Sequence, residues 1–67
     1  MMDGTTRVEF NDVEVLDAGG LLLTCRVSDQ TVFVPRLRVL PGTTIRRSGD
    51  RGTLVLEQDL ARELGLV

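Results

Sequence analysis

The run Gly52-Thr53-Leu54-Val55-Leu56 passes without a linker into Glu57-Gln58-Asp59-Leu60-Ala61-Arg62-Glu63-Leu64-Gly65-Leu66. Thr and Val favour extended backbone, whereas Leu60 and Leu64, four residues apart, share one edge of a helix. Gly65 suits the left-handed position that ends a helix, and Leu66 supplies the apolar contact that accompanies such a cap. A strand that turns at once into a helix over residues 57–65 is therefore expected. A helix so short has no stability of its own, so it must brace a β-rich body.

The rest of the chain supplies that body. Val8 and Phe10 fall on one parity and Val13 and Val15 on the other, with Asn11-Asp12 between them. A two-residue turn at Asn11-Asp12 would make a hairpin, but it would set Glu9 opposite Glu14, an unfavourable like-charge pair. A bulge or a short loop is the competing arrangement. Asp17-Ala18-Gly19-Gly20 reads as a turn, followed by a strand over Leu21 to Val27. Ser28-Asp29-Gln30 then connects to Thr31-Val32-Phe33-Val34, and Pro35 bends the chain or marks a sheet edge. Beyond Pro35, the alternation Arg36-Leu37-Arg38-Val39-Leu40 predicts a strand with both arginines on one face. Pro41-Gly42 predicts a turn, Thr43 to Arg46 a short strand, and Ser48 to Gly52 a polar turn before the final strand. Five or six short antiparallel strands and one C-terminal helix predict a mainly β fold, a small closed barrel. We expect one domain over residues 1–67, with 1–6 a flexible N-terminus.

A domain of 67 residues buries only about 60% of the surface that its unfolded chain exposes, so its core is marginal. Small scaffolds usually supplement such a core with disulfides, a metal or a partner subunit. One cysteine and no histidine exclude an internal disulfide and the usual zinc sites. Homo-oligomerisation is the remaining supplement, with Val32, Phe33 and Val34 beside Pro35 the candidate edge. Cys25, within Leu21-Leu22-Leu23-Thr24-Cys25-Arg26-Val27, is expected to be a small buried hydrophobe. Phe10 and Phe33 are likewise expected in the core.

The net charge of −2 conceals a segregation. Residues 1–30 carry Asp3, Glu9, Asp12, Glu14, Asp17 and Asp29 against Arg7 and Arg26. Residues 31–56 carry Arg36, Arg38, Arg46, Arg47 and Arg51 against Asp50 alone, and the tail is acidic again. Guanidinium groups make planar, bidentate contacts with carboxylates and phosphates, so these five arginines form a candidate anion or nucleic-acid face. Arginine in place of lysine throughout is also what a GC-rich coding sequence produces. Met1 to Thr6 is polar with no apolar stretch behind it, and no run approaches the ~20 apolar residues that span a bilayer. No membrane association and a cytoplasmic location are the expectations.

Val8-Glu9-Phe10-Asn11-Asp12-Val13-Glu14-Val15-Leu16, Leu22 to Val27 and Val32-Phe33-Val34-Pro35-Arg36-Leu37-Arg38-Val39 resemble a group of small bacterial and phage barrels of SH3-like type. Their second hairpin tends to end in Val-Trp-Val-Pro, then a basic residue, Ser, any residue and Ile. Phe33 stands at the Trp position, Pro35 and Arg36 match, and Leu37 and Val39 replace Ser and Ile. The resemblance covers about half the chain and implies an SH3-like barrel. Separately, Arg51 to Leu56 followed by Leu60-Ala61-Arg62-Glu63-Leu64-Gly65-Leu66 resembles the half-hairpin of AbrB-type and MazE-type swapped-hairpin DNA-binding domains, which implies a dimeric regulator or antitoxin. In this chain Glu57 replaces the usual Pro, and Leu40-Pro41-Gly42-Thr43-Thr44-Ile45, the likeness of the following turn and strand, precedes the helix.

Catalysis finds little support. The chain contains no His, Lys or Tyr, the common general bases and the Schiff-base nucleophile. Glu9, Asp12, Glu14 and Asp17 read as the solvated face of a strand. The glycines of Ser48-Gly49-Asp50-Arg51-Gly52 lack a P-loop lysine and precede a strand, not a helix. No enzyme activity and no cofactor are expected. The leading expectation is a non-enzymatic interaction module that binds a protein partner or itself. Behind it stand a nucleic-acid binder using the arginine-rich face and an antitoxin-like regulator whose acidic ends would contact a basic partner protein.

Overall fold

A computed structural model of the protein describes residues 6–67. The expected flexible N-terminus at 1–6 therefore lies, except for Thr6, outside the described residues. The fold is mainly β. Strands β1 (Arg7–Asp17), β2 (Leu22–Val27), β3 (Gln30–Pro35) and β4 (Arg51–Glu57) precede one helix, α1 (Gln58–Glu63). They form one antiparallel sheet in the order β3-β2-β1-β4.

β1 resolves the two alternatives at Asn11-Asp12. There is no hairpin: a single strand runs through, and between the pairs Phe10↔Leu54 and Val13↔Gly52 it carries one residue more than β4. Asp12 takes a positive φ of 59° at this bulge, which Asp tolerates better than most side chains. The extra residue reverses the parity of the strand. Val8 and Phe10 upstream and Val13 and Val15 downstream thereby face the same way, and Glu9 sits opposite Val55 instead of Glu14. A second bulge at Leu16, between Val15↔Cys25 and Asp17↔Thr24, bends the end of β1 as it changes partner from β4 to β2.

β2 and β3 join through Ser28 and Asp29 alone, a two-residue loop between the paired Val27 and Gln30. Both loop residues have positive φ, 49° and 67°, the geometry whose twist matches that of a hairpin. No glycine is present to signal it. The alternation that follows is strict: Leu23, Cys25 and Val27 on β2 and Val32 and Val34 on β3 are buried. They meet Val13 and Val15 of β1, Leu54 and Leu56 of β4, Ile45 and Leu60 in one core.

Two expected strands are absent. Arg36–Arg38 forms a 3-10 turn: Arg36 N–H makes a last ladder bond to Leu21 O (2.9 Å), and the chain then turns back, Val39 N–H donating to Arg36 O (3.4 Å). Thr43 to Arg46 is not a ladder strand. It lies along β4 through two backbone bonds, Leu40 N–H to Val55 O (3.0 Å) and Thr44 N–H to Thr53 O (2.9 Å). Threonine hydroxyls fill intervening positions, Thr43 Oγ1 accepting from Val55 N–H (2.9 Å) and Thr44 Oγ1 from Thr53 N–H (3.0 Å). Side chains thus replace ladder acceptors over Thr43-Thr44, so the segment follows β4 without forming the expected strand. The four ladder strands make an open sheet.

α1 braces the sheet as expected. Leu60 and Ala61 are buried, and Leu64 and Leu66 pack against the core. Leu66 N–H bonds Ala61 O (2.9 Å) and Gly65 N–H bonds Arg62 O (3.1 Å), with Gly65 at φ 80°. This is the paired bonding of a Schellman cap, and it satisfies carbonyls that the end of α1 would otherwise leave bare. At the other end Gln58 N–H bonds Thr6 O (2.7 Å), tying the helix start to the strand entering β1.

Candidate functional site

β3 ends the sheet, and its two faces differ. Val32 and Val34 point into the core, so of the three residues expected at an exposed edge only Phe33 presents its side chain outward. Phe33 is 58% exposed, which corrects its expected place in the core: on a strand whose neighbours Val32 and Val34 take the buried parity, residue 33 must face solvent. Phe10, by contrast, is half-buried against the core. Leu22 on β2 shares the outer face with Phe33 and is 45% exposed. Leu21 and Leu37, just beyond the ends of β2 and β3, are 81% and 92% exposed. These leucines escape sequence reading because each lies inside or beside a run that looks like core. The signal available was the parity of Leu23, Cys25 and Val27, which leaves Leu22, Thr24 and Arg26 outside.

The backbone at this edge is as informative as the side chains. In a two-residue hairpin the residues flanking the loop bond each other directly, so Gln30, and with it Val32 and Val34, direct N–H and C=O toward β2. Thr31, Phe33 and Pro35 then direct theirs away from the sheet. Pro35, which has no N–H, falls on the outward parity, the one place in the strand where its missing donor costs no ladder bond. Neither Thr31 N–H nor Phe33 N–H is matched to a further strand among the described residues.

The five arginines do not form one face. The Arg36 guanidinium donates to Gly20 O (3.2 Å) and to Ala18 O, pinning the β1-β2 turn. Arg38 Nη2 pairs with Glu57 Oε1 at 3.2 Å at the start of α1. Arg51 Nε lies 3.9 Å from Asp12 Oδ1 beside the bulge in β1. Arg46 and Arg47 offer their backbone N–H groups to Asp50 Oδ2 (2.8 and 2.9 Å), closing the turn before β4. Arg36 and Arg46 do meet at one groove of about 570 Å³, lined also by Leu23, Val39, Pro41 and Ile45. Arg51 instead borders a polar depression of about 420 Å³ with Asp12, Glu14, Arg26 and Asp29.

Two groups among the described residues titrate away from their ordinary values. The Arg47 and Arg46 amides that donate to the Asp50 carboxylate hold its pKa below the usual carboxylate range. Burial raises the Cys25 thiol, which is fully enclosed in the core, as its place in an apolar run predicted. Among the described residues no cluster of His, Cys, Asp and Glu has the arrangement of a metal site, and no helix is long and apolar enough to cross a membrane. Comparison of the chain with protein-family models, with curated proteins and with solved structures finds no match, so the edge of β3 and the exposed apolar residues around it carry the functional reading.

Proposed function

We propose that the protein is a non-enzymatic interaction module that takes an extended segment of a protein along the outer edge of β3. The observation that carries this reading is the outward set of β3: the amides of Thr31 and Phe33, with the Phe33 side chain and Leu22 exposed beside them. Strand addition draws affinity from main-chain bonds of this kind and specificity from alternate side chains on the same face. β3 contains no charged residue, and charge on an edge is the common protection against pairing. At a finer level we read the architecture as SH3-like, with residues 40–46 as the counterpart of a fifth strand. Their bonds to Val55 and Thr53 of β4 support that reading.

The arginine-rich alternative draws its support from the groove where Arg36 and Arg46 meet. It ranks second because Arg38 and Arg51 are each within ion-pair distance of a carboxylate. Single-strand binders also commonly offer several stacking aromatics, where this surface has only Phe33.

Selection from a library of extended peptides, followed by amide chemical-shift mapping, tests the leading reading. Bound peptides should perturb Thr31 and Phe33 and should lose affinity for a Phe33→Arg variant that melts like the parent. Peptides that map to the Arg36/Arg46 groove, or that ignore Phe33→Arg, would refute it.

A further inference from the structure

We infer that the occupant of the β3 edge is a second copy of this chain, paired antiparallel about a two-fold axis through Phe33. This rests on the reading of β3 as an interaction edge and names its partner. Three features of the strand point to self-pairing. The outward bonding groups match their own reverse: with Phe33 opposite Phe33 of the partner subunit, each Phe33 N–H reaches the other's carbonyl. Each Thr31 N–H then reaches the carbonyl of Pro35 of the partner subunit. Both outward donors of the strand are used; Pro35 contributes an acceptor but no donor, so the outward carbonyl of Thr31 is left to solvent at each end of the paired segment.

The charges at the strand ends also fit. β3 itself is uncharged, with Asp29 at its hairpin end and, beyond its other end, Arg36, whose guanidinium bonds only the neutral carbonyls of Ala18 and Gly20. Antiparallel pairing brings Asp29 of each copy beside the basic end of the other, whereas parallel pairing would juxtapose like charges. The third feature is the apolar stripe. Leu22 lies diagonal to Phe33 across the β2-β3 pair, so a two-fold at Phe33 aligns Leu22 and Phe33 of one copy with the same two residues of the other. Two exposed aromatic rings become a cross-strand pair, and the two four-stranded sheets become one sheet of eight strands.

Light scattering on the chain alone, at about 100 μM, should give a dimer, and Thr31→Arg should give a monomer. Phe33→Cys should form an intermolecular disulfide under mild oxidation, because a hydrogen-bonded antiparallel pair holds its Cα atoms about 5.5 Å apart, within the span that a disulfide bridges. Cys25 is fully buried and does not compete. Glu9→Cys, an exposed position at the far end of β1, should stay reduced under the same conditions. A monomer at this concentration, or a dimer that survives Thr31→Arg and leaves Phe33→Cys uncrosslinked, would overturn the inference. Either result leaves the module reading to stand or fall on peptide mapping to Thr31 and Phe33, so the two failures are distinguishable.

Discussion

Gly52 sits at the start of β4 where a single methyl group would disturb the junction between β4 and the segment Thr43-Thr44 that lies along it. A Cβ built on Gly52 collides with Thr44 Oγ1, while the next atoms, Ile45 Cγ2 at 3.5 Å and Thr44 Cβ at 3.7 Å, stand at ordinary contact distance. The collision is relieved by rotating the Thr44 hydroxyl away, and that hydroxyl accepts the Thr53 N–H at 3.0 Å. The bond is exposed, so water can take the place of the lost acceptor and the cost is that of an ordinary hydrogen bond, about 0.5–1.5 kcal/mol. Alanine in place of glycine returns roughly 0.4–1 kcal/mol by restricting the unfolded chain. Gly52→Ala should therefore destabilise the protein by up to about 1 kcal/mol, a shift of a few degrees in Tm for a chain of this size. In a Thr44→Ala background the obstructing oxygen is gone, and the same Gly52→Ala change should be neutral or slightly stabilising. Urea unfolding of the parent, the two single variants and the double variant closes the cycle. An equal cost of Gly52→Ala in both backgrounds would show that Thr44 is not what the methyl group meets and would refute the reasoning.

Leu60→Ala should lower stability by roughly 2–5 kcal/mol, since its side chain is buried between α1 and the sheet, whereas exposed Arg62→Ala should change it by no more than about 0.5 kcal/mol. Thermal melts of the two variants compare them directly, and equal melting would mean that α1 does not brace the core. Asp50 makes stability depend on acid. Its carboxyl titrates lower in the folded chain than in the unfolded one, so its contribution is complete above about pH 4 and is lost as pH falls through the lowered folded value. The difference in Tm between the parent and Asp50→Ala should accordingly be constant from pH 5 to 7 and shrink below pH 4, and a difference that persists unchanged at pH 2 would remove Asp50 as its cause.

The mainly β character, the turns at residues 17–20 and 48–50 and the helix that follows β4 were legible in the amino-acid order, because each is a local matter. Alternating apolar residues specify a half-buried strand, and Leu60, Leu64, Gly65 and Leu66 specify a capped amphipathic turn without reference to the rest of the chain. The burial of Cys25 and the bracing role of α1 followed from the same local patterns. Asn11-Asp12 was legible only as a choice: the like charges of Glu9 and Glu14 weighed against a hairpin, but the bulge was decided by the pairing of β1 with β4, distant in sequence. Phe33 and Leu22 looked like core because they are apolar, yet alternation leaves only one parity inside, and burial of Val32, Val34 and Leu23 turned them outward. Leu37 followed for another reason, since the chain leaves the ladder just after the bond from Arg36 N–H to Leu21 O and enters a 3-10 turn. The five arginines form a cluster in sequence but do not share one face: Arg36, Arg38 and Arg51 are taken up by carbonyls or carboxylates that long-range pairing brought near, while Arg46 and Arg47 use their backbone amides in the local turn closed by Asp50. What the order of residues determined was the strand, the turn and the helix. What the tertiary structure decided was which edge stayed open, because an open edge is defined by the strands that do not come to meet it.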